Sequence, residues 1–170
     1  MWWVALAVAI LTMLRNEKEK AEDPGGRRGG ESLEAAIRRH ARHARIPERE
    51  FLAMAQVESS LRHLPPGQDG GSLTYYPMGM KVVAGQTVWP EGTPEQIQTE
   101  LKDLDGHLAL AAKYLKRGLS HYNAEDPLLR VWWVNPAAAR KMAKGGAAPR
   151  WTKRSVERWQ QARERWTSVS

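Results

Sequence analysis

No cysteine occurs among the 170 residues, which excludes disulfide bridges, thiolate nucleophiles and cysteine-ligated zinc. Phenylalanine appears once, at Phe51, against eight tryptophans. Aromatic surface is therefore carried mainly by indoles, whose faces stack on sugar rings and settle at membrane interfaces as readily as they fill a core. Acidic residues are outnumbered, 19 against 26 basic ones, leaving a formal charge of +7 and a pI near 9.9. An anionic partner follows from that imbalance: cell-wall polymer, acidic lipid headgroups or nucleic acid. No nucleic-acid-binding motif accompanies the charge, so nucleic acid is the weakest of the three. With 42% hydrophobic and 26% charged residues, the chain is expected to form one globular domain with appendages.

The longest apolar run free of charge is Trp2 to Leu14. As a helix it would span roughly 20 Å at 1.5 Å per residue, short of the ~30 Å hydrocarbon core. It has neither the basic start nor the small-residue cleavage site of a secretory signal, and a core helix would not lead at once into a charged linker. Residues 1–15 are read as a membrane anchor, with Trp2 and Trp3 at one interface and Arg15 and Lys18 reaching the other. The lipid bilayer would thus be a partner of residues 2–14. Residues 16–31 form a charged, glycine-rich linker broken at Pro24-Gly25-Gly26.

Residues 32–145 read as the domain proper, mainly helical. Ser32 suits an N-cap for a helix to about Arg45, and Pro47 opens a second that runs to about Leu61. Pro65-Pro66-Gly67 and Asp69-Gly70-Gly71 force a loop, and Leu73 to Ala84 is read as a hairpin-like piece with a turn. Thr93-Pro94 and Asp126-Pro127 start further helices, and an apolar stripe from Leu101 to Leu119 lies between them. Residues 146–170 give a basic, tryptophan-rich terminal helix. Trp151, Trp159 and Trp166 share one face of it, either packed on the domain or presented to wall, membrane or partner.

Within the second helix, Phe51, Met54, Ala55 and Glu58 recur at spacings of three and four. A carboxylate on an apolar face is reluctant to ionise and can act as a general acid; at the edge of the stripe it would simply be solvated. Ser59 is placed either to orient that carboxylate or to cap the helix. Tyr75 and Tyr76, beside Met78-Gly79-Met80, either line a cleft, with Gly79 allowing close backbone approach, or pack as a loop. The five histidines are scattered, and His40 with His43 finds no third ligand nearby, so no metal site is expected.

Four signals in order resemble the lytic transglycosylases of the lysozyme-like superfamily, in the branch of soluble lytic transglycosylases and goose-type lysozymes. Val57-Glu58-Ser59-Ser60-Leu61 is similar to the family's Glu-Ser signature. Met78-Gly79-Met80-Lys81-Val82 stands where the family has a Gly-Leu-Met-Gln loop. Asp105-Gly106-His107 leading to Tyr114-Leu115 resembles its Gly and Tyr-Leu helix, and Trp132-Trp133-Val134-Asn135-Pro136-Ala137 takes the place of its Ala-Tyr-Asn-Ala-Gly. Lys81 or Val82 falls where the family has glutamine, and Val134 where it has tyrosine; Tyr122, in Tyr122-Asn123-Ala124, is a second candidate for the last motif.

The resemblance implies a lysozyme-like helical domain and, as substrate, the peptidoglycan strand, cut between N-acetylmuramic acid and N-acetylglucosamine. Glu58 would be the acid and then the base, giving a 1,6-anhydro product. Ser59, Tyr75, Tyr76, Met78, Gly79, Met80, Tyr122 and Asn135 would be substrate-binding residues, with no cofactor. Asp69 is the one further carboxylate near the loop, and a lone acid favours the anhydro-forming lyase over hydrolysis. The setting would be a phage virion or the bacterial envelope, with virion or envelope-complex proteins as further partners; the missing secretion signal inclines the reading to the phage. The alternative is a wall-binding or structural membrane protein of the same fold without catalysis.

Overall fold

The computed structural model describes residues 31–69 and 71–167. The expected anchor and nearly all of the linker lie outside these residues. Among the described residues no helix is long and apolar enough to cross a membrane.

The helices begin where the sequence supplies caps. The Ser32 side chain accepts from the Ala35 amide and opens α1 (Leu33–Ala44). The next helix, α2 (Glu48–Ser59), starts one residue later than expected: Pro47 is the extended residue before it, not its first turn. It also stops earlier, because Ser60 and Leu61 turn into the left-handed region at φ 54 and 56. Their amides close onto the carbonyls of Gln56 and Ala55. A hairpin of β1 (Gly67–Asp69) and β2 (Ser72–Thr74) follows, antiparallel, with Gln68 opposite Leu73.

Beyond the hairpin come α3 (Val82–Val88) and α4 (Pro94–Lys102), the latter opened by a full capping box between Thr93 and Gln96. The apolar stripe is split in two at Asp103, whose side chain caps α5 (Leu104–Leu119) through the Gly106 amide. Asp126 caps α6 (Pro127–Val134), and Asn135 ends it and caps α7 (Pro136–Ala143). The last helix is α8 (Thr152–Thr167). Helices hold 65% of the described residues, so the mainly helical class holds.

Helix α5 is central, packed by α1, α3, α4 and α6, while α2 lies between α1 and α8. Phe51, Leu52, Met54, Leu108 and Leu115 are fully inaccessible, each worth about 1.5–3 kcal/mol on burial. Helix α8 shares this core: Trp159 is 0% exposed and packs where α8 meets α2. Trp166 is half-buried and Trp151 remains exposed, so the three indoles part company. A buried ion pair fixes the contact. Glu50 of α2, 1% exposed, accepts from Arg163 Nε of α8 at 3.0 Å and from Arg49 at 2.9 Å.

Candidate functional site

Glu58 stands in the last turn of α2, its side chain 19% exposed, at the wall of a cleft of about 870 Å³. The apolar neighbours predicted for it are present along its own helix, but its closest partner is a cation. Arg130 of α6, 5% exposed, places Nη1 2.5 Å from Glu58 Oε1. The same guanidinium donates from Nε to Ser155 Oγ of α8 at 3.0 Å and lies 3.6 Å from Met54 Sδ. Three helices therefore fix the position of one carboxylate.

The other support of Glu58 is the loop from Tyr75 to Met80. Its ends are paired, Tyr75 N–H to Met80 O at 2.8 Å and Met80 N–H to Tyr75 O at 2.9 Å, and the Tyr76–Pro77 peptide is cis. The Met78 amide donates to His107 Nε2 at 3.2 Å, and His107 Nδ1 donates to the Leu101 carbonyl at 3.1 Å. That arrangement needs a neutral ring with its proton on Nδ1. Burial pushes the His107 pKa down to about 4; the Leu101 carbonyl opposes the shift and His63 adds a little to it. At the loop's tip Gly79 has φ 66 and lies against the carboxylate: a Cβ there would meet Glu58 Cδ at 2.8 Å. Only glycine lets the backbone come so close.

Much of the remaining wall comes from four helices and the lead-in to the last. Val83, Ala84 and Thr87 belong to α3, Tyr114 to α5, Trp133 and Val134 to α6, and Arg150, Trp151, Arg154 and Arg158 to α8 and its lead-in. Tyr114 stacks within 4.5 Å of Trp132 and 5.4 Å of Trp133, and burial raises its hydroxyl to about 12. Asp69 reaches the same cleft as an exposed carboxylate paired with Lys81 at 3.1 Å.

The residues expected to contact substrate divide sharply. Glu58, Tyr76, Gly79 and Met80 line the cleft, although Met80 is 2% exposed and presents little surface. Ser59 does not orient the carboxylate: its hydroxyl donates to Ala55 O and accepts from the Arg62 amide, which is the capping role. Tyr75 and Met78 alternate inward from the loop and are 1% and 0% exposed, so they are core residues. Tyr122 is half-buried beside His121, outside the cleft lining. Asn135 caps α7 through the Ala138 amide, between two residues that do line the cleft, Val134 and Pro136.

Arg130 escaped the sequence reading, although it is the only charge in the apolar run from Leu128 to Val134 and that isolation is a signal. The arginines of α8 read in sequence as a basic helix face, and only the packing of α8 puts Arg154 and Arg158 at the cleft. Among the described residues no three His, Asp or Glu side chains gather to hold a metal ion; His40 pairs instead with Asp105 at 3.1 Å. No known protein family, curated protein or solved structure matches the chain.

Proposed function

We propose that the protein is a peptidoglycan lytic transglycosylase with a lysozyme-like domain, anchored to a membrane through residues 2–14. The observation that carries this reading is a single partly exposed carboxylate, Glu58, fixed from two sides within a cleft large enough for several sugar rings. Tyr76 and Trp151 supply faces for sugars along that cleft. Glu58 would protonate the glycosidic oxygen as the bond from C1 breaks. Its carboxylate would then take the proton of the muramyl 6-hydroxyl as that oxygen bonds to C1, leaving a 1,6-anhydro end and consuming no water. Asp69, exposed and paired with Lys81, has no part in these steps. Such an enzyme would serve a phage virion at genome entry or an envelope complex that opens the wall locally.

The test is to incubate the full-length protein with purified peptidoglycan and analyse the products by mass spectrometry. Anhydromuropeptides from the wild type, absent with Glu58→Gln, are the expected result. Reducing-end products would make it a hydrolase, and no products would remove the enzyme. One feature favours a second reading, wall binding without cleavage: Arg130 already occupies Glu58 Oε1, an oxygen a general acid would use. Valine in place of the family's motif tyrosine, at Val134, points the same way. Peptidoglycan retention without products would establish it.

A further inference from the structure

Five cationic side chains line the cleft, Lys81, Arg130, Arg150, Arg154 and Arg158, against two carboxylates, Glu58 and Asp69. Both carboxylates are already committed, to Arg130 and to Lys81. Arg158 donates one Nη2 bond to the Val57 carbonyl, fixing it at the cleft beside Glu58. Arg150 and Arg154 have no carboxylate partner among the described residues, and both are exposed. Arg154 and Arg158, four apart, share one side of α8, and Arg150 in its lead-in lines the same cleft that holds Glu58. Three arginines along one wall create a local field that attracts negative charge. In a peptide-bearing strand the muramyl lactyl carboxyl is tied up in the amide to the peptide, so the sugars themselves are neutral and the carboxylates are those of the peptide. Guanidinium forks match carboxylates two bonds at a time.

Resting on the proposed function, we propose that the α8 wall binds the carboxylates of the peptides carried by the glycan strand, so that the preferred substrate is the peptide-bearing strand and not an uncharged glycan. The Tyr76 and Trp151 faces hold the sugars, and Arg150 and Arg154 hold the peptide carboxylates. Specificity then lies in α8, away from the acid.

The experiment measures binding of the full chain to soluble glycan fragments by stopped-flow tryptophan fluorescence, with product formation read separately by mass spectrometry. The ligands are peptide-bearing fragments, N-acetylglucosamine oligomers of the same length, which carry neither peptide nor carboxylate, and fragments whose peptide carboxylates have been amidated. Loss of the peptide carboxylates, by either route, is expected to weaken binding about fivefold to tenfold, as for two exposed charge pairs. That difference should shrink in high salt. The double variant Arg150→Gln/Arg154→Gln should abolish the preference, and circular dichroism establishes that it folds. Equal affinity for all three ligands, or a preference that survives the double variant, overturns the proposal. So does a short single-stranded DNA bound as tightly as the peptide-bearing fragment, since that would be unselective attraction of polyanions. Absence of cleavage with the preference intact would overturn the enzyme while leaving the binding site standing.

Discussion

Arg130 Nη1 lies 2.5 Å from Glu58 Oε1, joining α6 to α2 across 72 residues at the cleft wall. The pair is nearly closed to solvent on the arginine side and partly open on the glutamate side. Each partner is therefore expected to depend on the other.

Arg130→Met should leave Glu58 without its cation and remove the bridge to Ser155. A loss of about 1–3 kcal/mol is expected, as for a charged hydrogen bond removed at a partly exposed site. Glu58→Gln should cost less, because the amide oxygen still accepts from Arg130. Urea unfolding of both variants checks the order; a milder effect for Arg130→Met would contradict it.

Gly79→Ala should damage both stability and function. The φ of 66 disfavours any side chain, and the new methyl would press on the Glu58 carboxyl group. We expect a stability loss of about 1–3 kcal/mol and, if Glu58 is the acid, about a hundredfold slower release of anhydro products. Melting curves and product assays on the same preparation separate the two effects.

Glu50→Ala should loosen α8. It would leave Arg163 and Arg49 facing a buried void where their carboxylate had been. Breaking such a buried pair from one side costs about 3–5 kcal/mol. Hydrogen exchange should rise first in α8 and at the end of α2, and Arg163→Met in the same background should restore part of the loss. Uniform destabilisation with no local loosening of α8 would show that Glu50 does not act through that helix.

Acid should weaken the fold through His107. Its folded pKa is depressed to about 4 from an ordinary 6.5, so the unfolded chain takes up a proton first as pH falls. Stability from this group is complete above about pH 6.5 and declines down to about pH 4, by about 3 kcal/mol in all. His107→Gln is expected to flatten the profile in that window. Chemical unfolding at several pH values gives the comparison.

Local signals were the legible part of the fold. Ser32, the Thr93-Gln96 box and Asp126-Pro127 each act within four residues, so their effect can be read without knowing the packing. Glu58 was legible for the same reason, since helical periodicity alone puts it with Phe51 and Met54. The Tyr75–Met80 loop was not. Neighbouring residues there face different ways, so Tyr76 and Gly79 reach the cleft while Tyr75 and Met78 are buried. Ser59 and Asn135 carry side chains equally fit for a ligand or a backbone amide, and composition does not choose between them. Arg130 needed tertiary knowledge of another kind, because its partner is on a different helix.

The contact between Arg158 and the Val57 carbonyl spans 101 positions of sequence. A ribosome must therefore deliver nearly everything from α2 to α8 before the two sides of the groove can meet. A nascent chain that has released only its first helices displays Glu58 without the opposing bank, and so has nothing in which to seat a polymer. Whatever this groove grips, it acquires that grip only once α8 has emerged.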